Sequence, residues 1–193
     1  MSIHTRKAVT TFLASILIGL TFCVSQTLAL TEEDFQFFGR RYGVSPYLLR
    51  AISIVESREG RLTGSYLVQD VGNAIQLKYL QKIAESTGRS MAEFKGSHAG
   101  AMGYMQIIPS TFFYYGQDGN GDGMKDPLND YDSLATAAYF LARRIAKQDE
   151  LYQAIQDYNP STNYCQKVLR IYVKLEMETR FAGLIKYFQP VSP

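Results

Sequence analysis

The chain is predicted to be mainly α-helical. Apolar residues recur at helical spacing in several separate segments. Thr31, Ser45 and Ser90 stand where such segments begin, and Gly43 and Gly88 stand where they end. No segment alternates apolar and polar residues with the period of two that a half-buried strand requires. Of the 193 residues, 46% are apolar and 20% charged, which supports one folded core and excludes a disordered chain. Repeats at solenoid periods and low-complexity tracts are absent from the sequence.

The first 29 residues read as a targeting segment rather than as part of the fold. Arg6 and Lys7 form a basic start, Ala8 to Val24 runs without a charge, and Thr27-Leu28-Ala29 offers small residues at the positions a signal peptidase reads. An uncleaved membrane anchor is the alternative, although the apolar run is short of the roughly 20 residues a span needs. Cys23 has a lipidation-like setting, but Phe22 is bulky for it. This organisation predicts a signal peptide over residues 1–29, a domain over residues 30–193, and a periplasmic or secreted location, with membrane anchoring as the alternative.

The domain then divides into helices. Thr31-Glu32-Glu33-Asp34 starts the first, with acids in its first turn and Phe35 and Phe38 on its apolar face. Ser45 and Pro46 start the second, whose stripe is Leu48, Leu49, Ile52 and Val55. Val71 to Ser86 is amphipathic through Ile75, Leu77, Leu80 and Ile83. Ser90 to Glu93 is a capping box for a short helix. Gly96 to Gly103 is a small-residue loop, Pro109 to Tyr115 a brief helix, and Asp118 to Asp130 a loop. Leu134 to Ala146, Leu151 to Tyr158 and Tyr164 to about Met177 complete the helices. Cys165 sits in a helical pattern as a small core residue.

Charge narrows the partners. The chain carries 20 Lys and Arg against 18 Asp and Glu. The targeting segment contains Arg6 and Lys7 and no acid, so the domain is close to neutral. No basic patch stands out, which argues against nucleic acid. With Cys23 in the targeting segment, Cys165 is left alone, and no disulfide framework exists.

Glu56 is the first candidate for chemistry. It shares a helix face with Ser53, Ile52 and Leu49, and a carboxylate on an apolar face is costly to ionise. Desolvation raises its pKa toward neutrality, as a general acid at a glycosidic oxygen requires. On this stretch alone, pairing of Glu56 with Arg58 or Arg61 at the helix end stays open. Lys95 to Phe112 is the second candidate. Its glycines let backbone approach a ligand closely, while Tyr104 and Gln106 offer a stacking face and hydrogen bonds to an acetamido sugar. A tight loop packed on the core is the competing reading.

Four motifs now stand in order. Gly100-Ala-Met-Gly-Tyr-Met-Gln-Ile-Ile-Pro-Ser-Thr-Phe, preceded by Lys95-Gly-Ser-His-Ala, resembles the signature of the membrane-bound lytic transglycosylase B family. Glu56-Ser57-Arg58 resembles the catalytic glutamate-serine motif of the wider lysozyme-like (SLT) transglycosylases. Ala135 to Leu141 resembles their small-residue helix, and Ala154-Ile-Gln-Asp-Tyr-Asn159 their alanine to tyrosine-asparagine motif. The resemblance covers roughly residues 31 to 175. It implies a lysozyme-like domain with a substrate groove. It also implies a lyase that cuts peptidoglycan glycan strands between N-acetylmuramic acid and N-acetylglucosamine, leaving 1,6-anhydro ends. Carried over by position, Glu56 is the single acid/base, and Ser57, Tyr104, Gln106, Tyr158 and Asn159 line the groove, with Tyr158 orienting Glu56. No role carries over to His98, which reads as solvent-facing.

Asp118-Gly-Asn120-Gly-Asp122-Gly-Met124 places oxygen ligands at alternate positions, the spacing of an EF-hand calcium loop, with Met124 offering its carbonyl. The usual twelfth position holds Asn129, a poor closing ligand. The family's longer loop closes later, which matches Asp132; Asp130 is an alternative closure, and a metal-free turn is the competing reading. Asp132 also reads as the N-cap of the following helix. The expected cofactor is therefore a structural calcium ion, with no organic cofactor.

Two other functions remain in view. A hydrolytic muramidase on the same fold needs a second carboxylate, for which Glu59 and Asp70 are the candidates. A catalytically silent glycan-binding module has no need of a protonatable carboxyl. The sequence has no Trp, so Tyr66, Tyr114 and Tyr115 are the candidate sugar platforms among 14 Tyr and 11 Phe. The short, single-domain build suits a monomer that opens a passage for an envelope-spanning secretion or conjugation machine, with general wall remodelling as the alternative.

Overall fold

The structure, a computed structural model, describes residues 29–148 and 150–185. The predicted targeting segment, up to residue 28, lies outside the described residues. Helices dominate: α1 (Glu32–Tyr42), α2 (Pro46–Ser57), α3 (Val68–Val71), α4 (Ala74–Thr87), α5 (Pro109–Tyr115), α6 (Asp130–Gln148), α7 (Leu151–Tyr158) and α8 (Thr162–Ile185). A 3-10 turn spans Met91–Glu93. Among the described residues no helix is long and apolar enough to cross a membrane.

Local chemistry explains most boundaries. Thr31 and Asp34 form a reciprocal capping box on α1, and Gly43 ends it in the left-handed conformation. Ser45 occupies the N-cap position of α2, but its side chain makes no capping bond; Pro46 in the first turn sets the start instead. The single helix expected from Val71 to Ser86 is broken into α3 and α4. The Asn73 side chain accepts from the N–H groups of Ile75 and Gln76, so it caps a new helix inside that segment. The last helix runs beyond Met177 to Ile185. Two strands that periodicity did not anticipate, β1 (Tyr66–Leu67) and β2 (Lys95–Gly96), pair antiparallel. At two residues each they are too short to show an alternation.

One contiguous core joins the helices. Phe35 and Phe38 from α1, Leu48, Leu49 and Ile52 from α2, and Leu134, Ala138 and Leu141 from α6 are all buried in it. Each large side chain of this kind contributes roughly 1.5–3 kcal/mol on burial. The small residues Ala135, Ala137 and Ala138 let neighbours approach α6 closely. Cys165 and Val168 fix α8 to this core, and α2 packs on α8 more extensively than any other pair of helices does. The consequence for function is that the last turn of α2 is held between α8 and the loop before α5.

That loop depends on Gly103. Its φ is +71°, and a Cβ there would overlap the Pro127 carbonyl oxygen. Gly121 has a similar φ of +77° but open space around it. Gly121→Ala is therefore expected to cost about 1 kcal/mol from conformation alone. Gly103→Ala is expected to cost at least about 3 kcal/mol, as strain and overlap add. Urea denaturation of the two variants beside the parent chain checks the difference.

Candidate active site

Glu56 is the penultimate residue of α2, and the chain turns away directly behind it. Arg58, Glu59 and Gly60 take left-handed φ values of 52°, 56° and 80°. Two of these are not glycine, a conformation that costs roughly 1 kcal/mol per residue and needs support. Ser57 supplies that support. Its hydroxyl donates to the Ser53 carbonyl (3.3 Å) and accepts from the Gly60 N–H (2.7 Å). Ser57 is 1% exposed, so its side chain builds the turn rather than facing a groove. Glu59 is held by Arg50 at 2.9 Å and by Arg61 at 3.9 Å. Arg61 is thereby engaged elsewhere, and among the described residues Glu56 forms no ion pair.

The half-buried Glu56 carboxyl instead accepts a hydrogen bond from the Tyr164 hydroxyl, 2.6 Å from Oε1. Burial pushes its pKa up to about 7, and the Tyr164 bond, which favours the charged form, offsets part of that rise. The negative end of the α2 dipole acts in the same direction as burial. A carboxyl poised near neutrality can give a proton and later take one back. Burial and the neighbouring Glu56 charge hold the Tyr164 hydroxyl well above the usual phenol range, so it remains a donor.

The glycine-spaced segment forms a tight turn beside this carboxyl. Met102 and Ile107 exchange backbone bonds at 3.0 and 2.9 Å, and Gly103 and Gln106 take φ values of 71° and 49°. Three groups clamp the turn. Ser133 Oγ accepts from the Met105 N–H (2.9 Å), the Tyr158 hydroxyl donates to the Met105 carbonyl (2.6 Å), and Gln106 Nε2 donates to the carbonyls of Thr63 and Gly103 (2.9 Å each). The Tyr104 ring lies against Gly60, where a Cβ would crowd it, and is 1% exposed. Burial raises its phenol to about 12. Tyr104 therefore offers no open stacking face, contrary to the expectation from sequence.

The structure also reassigns the orienting tyrosine. Tyr158 lies near enough to feel the Glu56 charge, but its hydroxyl is committed to Met105. The bond to Glu56 comes from Tyr164, one helix later. Asn159 ends α7, and its side-chain oxygen accepts from the Ser161 N–H (3.1 Å) in the turn that aims α8. Tyr158 and Gln106 line a cavity of about 120 Å³ with Ile107, Ile108, Thr111, Phe140 and Asp157. A larger groove of about 460 Å³ borders Val55 and Tyr164. Of the two candidate second carboxylates, Glu59 is paired as above and Asp70 is exposed on α3. His98 is exposed, as expected.

The aspartate loop is knitted by its own oxygens. Asp118 accepts from the N–H groups of Gly121 and Gly123, and Asp122 accepts from Asn120 Nδ2 and the Met124 N–H. The hydrogen bonds from Asn120 and Met124 hold Asp122 below its ordinary pKa, so it is ionised at neutral pH. Asp132 is fully buried and accepts from Gly119, Asn120 and Asp126 N–H groups. It is not the N-cap of α6. Asn129 caps that helix, accepting from Tyr131 and Asp132, which puts Asp132 in its first turn. Arg89 holds the far end of the loop through Asp126 at 2.5 Å. Among the described residues no three His, Cys, Asp or Glu side chains converge as a metal group. The donors the loop does present, carboxylate, amide and carbonyl oxygens, are those a hard cation takes.

Comparison with known proteins places this geometry in context. A family model described as a Transglycosylase SLT domain matches residues 24–151. The membrane-bound lytic murein transglycosylase B of Escherichia coli (strain K12) is 32% identical over 126 residues, covering 57% of this chain and 34% of the relative. The chain thus spans about a third of that relative's length. The E. coli lytic transglycosylase SLT35 in complex with calcium superposes with a TM-score of 0.67 at 20% identity, covering 76% of this chain and 71% of that one. SltB1 from Pseudomonas aeruginosa gives 0.68 at 20% identity over 76% and 75%. SltB3 from the same organism, in complex with NAG-anhNAM-pentapeptide, gives 0.62 at 20% identity over 72% and 58%. These structural likenesses show the lysozyme-like fold.

Removing the hydrogen bond at Glu56 has a definite sign. Tyr164→Phe deletes a donor that favours the carboxylate, so the Glu56 pKa is expected to rise above about 7. A carbon-13 titration of the glutamate carboxyls, with Glu56→Gln to assign the signal, checks it; a fall or no change would sink the assignment.

Proposed function

The chain belongs to the SLT transglycosylase family, and from that premise we propose that it is a lytic transglycosylase of peptidoglycan. It cleaves the β-1,4 bond between N-acetylmuramic acid and N-acetylglucosamine and leaves 1,6-anhydro-muramyl ends. The observation that carries this reading is the solitary, protonatable Glu56 held by Tyr164. In the proposed course, Glu56 gives its proton to the glycosidic oxygen as the bond to muramyl carbon 1 breaks. The substrate's own acetamido oxygen stabilises the cationic centre. The Glu56 carboxylate then takes the proton from the muramyl 6-hydroxyl, whose oxygen closes onto carbon 1. No water is consumed, and one carboxyl serves both steps.

The competing muramidase reading requires a second carboxylate opposite Glu56 to hold a water. Glu59 is occupied by two arginines, Asp70 is exposed on α3, and Asp157 is bound to Arg144 (3.5 Å) and Gln148 (3.0 Å). A silent binding module has no use for an acid raised to neutrality. In this reading Tyr158, Gln106 and Asn159 shape the groove, with Ser57 and Tyr104 acting behind it. The N-terminal segment and the membrane-bound relative support an exported chain working in the cell envelope on glycan strands.

We further propose that the aspartate loop holds calcium. Asp118, Asn120, Asp122 and the Met124 carbonyl supply the first ligands, and the ion ties the loop to α6. Closure by Asp132 requires the ion to share oxygens that accept three backbone N–H groups. The SLT35 structure in complex with calcium supports this reading.

Digestion of purified sacculi is expected to release anhydro-muramyl ends, read by mass spectrometry. Glu56→Gln should lower release at least about 100-fold, and wild-type release should decline above pH ~7 as the acid is lost. Reducing ends that carry an added water would overturn the lyase reading. Separately, EDTA should lower Tm and excess calcium restore it, by roughly 2–4 kcal/mol of linkage at 100 to 1,000 times Kd. Asp118→Asn with Asp122→Asn should abolish that response. An EDTA-insensitive wild type would remove the ion from the description.

A further inference from the structure

Helices α4 and α5 carry an aromatic patch that the chemistry at Glu56 does not use. Ile75, Lys78, Tyr79 and Lys82 stand at steps of three and four residues on α4, so they share one face of that helix. Phe113 and Tyr114 of α5 lie beside them. The rings of Tyr79, Phe113 and Tyr114 pack against one another pairwise, with centroids 5.1, 5.3 and 5.4 Å apart. The patch is open to solvent: Ile75 is 65%, Phe113 42% and Tyr114 66% exposed. Single exposed apolar side chains are ordinary, but a contiguous group of large ones marks a surface that meets something else.

The polar groups of the patch decide what kind of partner fits. The hydroxyls of Tyr79 and Tyr114 are bonded to each other at 2.5 Å. The Gln76 amide is used at both ends by Ser110, at 2.9 Å each. The Lys82 ammonium lies over the Phe113 ring, 5.0 Å from its centroid, so that face is not free for a sugar to stack on. What remains is apolar surface and positive charge. Lys78 and Lys82 are exposed and, among the described residues, form no ion pair. Glu85 is the one acid on α4, and it accepts from Gln81 at 3.0 Å; α5 carries no charge. A glycan or a defined protein epitope is recognised through free, directional donors and acceptors. A lipid headgroup layer needs none. It takes aromatic rings at the interface and lysine ammonium groups against anionic headgroups.

We propose that this patch docks the domain on an anionic phospholipid surface, with Ile75, Phe113 and Tyr114 entering the interface and Lys78 and Lys82 meeting headgroup phosphates. The proposal rests on the reading of a cell-envelope location and not on the chemistry at Glu56. Lysine suits the contact because its stem lies along apolar surface while the ammonium group reaches the phosphate. A patch of this size gives reversible association rather than permanent anchoring. α5 follows directly on the Met102 to Ile107 turn beside Glu56, so docking sets the orientation of the site to the lipid.

The test exploits the absence of Trp from the sequence. Phe113→Trp places a sole fluorescent reporter in the patch, keeps a ring beneath Lys82 and leaves the tyrosine pair in place. The full-length variant is mixed with vesicles of phosphatidylcholine, alone or with phosphatidylglycerol, carrying brominated acyl chains as quenchers. A blue shift and quenching are expected on the anionic vesicles, with little response on the neutral ones or at high salt. Tyr152→Trp, at a position on α7 that is 39% exposed, should stay unquenched, which separates docking through the patch from tethering by the N-terminal segment. Adding Lys78→Gln and Lys82→Gln should lower the ratio of quenched to free reporter roughly 20- to 30-fold. Lys78→Arg with Lys82→Arg should retain the response. No response on anionic vesicles, equal quenching of the two reporters, or indifference to the lysines would overturn the proposal. A blue shift with lipid-free sacculi or polyglutamate that anionic vesicles do not produce would also overturn it, in favour of a glycan or an acidic protein. The readout is independent of catalysis. Docking by a chain that forms no anhydro ends upholds the patch, and anhydro ends without docking remove it.

Discussion

The bond from the Tyr164 hydroxyl to the Glu56 carboxyl joins residues 108 positions apart, and the site depends on it. Among the described residues Glu56 has no ion-pair partner, and removal from water is the largest influence on its titration. A rise from 4.5 to about 7 corresponds to roughly 3 kcal/mol of disfavoured ionisation. Such a carboxyl finds a charged partner or solvent unless the scaffold prevents it. Core packing of Leu49 and Ile52 fixes one side of α2, and the left-handed turn at Arg58 to Gly60 ends the helix directly behind Glu56. α8 supplies a neutral hydroxyl instead.

A second constraint is the need to satisfy buried polar groups. Ser57, Tyr104 and Gln106 have the chemistry of ligand-binding residues, yet they stabilise the scaffold. Ser57 bonds a strained turn, Tyr104 fills the space beneath Gly60, and Gln106 ties its own turn to Thr63. Their polarity is needed because the segments they join run irregularly through half-buried space, where backbone carbonyls and N–H groups have no helix partners. A side chain there is therefore a poor guide to what faces substrate.

The aspartate loop follows the same logic at the surface. Its carboxylates organise the backbone through N–H groups, and Arg89 anchors its far end. Asp132 holds the loop to the first turn of α6, the helix whose Ser133 clamps the turn at Met105. Two adjacent residues of one helix thus bond the loop and the turn beside Glu56. A bound ion would reinforce a link that already exists.

Much of this was legible in the residues themselves. Helical periodicity and capping chemistry are local, so α1, α2, α5 and α7 follow from the sequence nearly to their ends. Glu56 was visible as a carboxylate on an apolar helix face, but pairing with Arg58 or Arg61 stayed open until four motifs stood in order. What lay beyond reach was set by contacts between distant segments. Asn73 split a predicted helix because its side chain found two N–H groups, a choice that periodicity does not record. Two-residue strands carry no pattern. The exchange of Tyr158 for Tyr164 at the carboxyl depended on how α8 docks on α2 through Cys165 and Val168. The burial of Tyr104 depended on a turn more than forty residues away. Sequence determined which groups were available and which helices present them. Tertiary packing decided which hydroxyl reaches the acid, because hydrogen-bond distance is fixed by the angle between helices and no single helix encodes that angle.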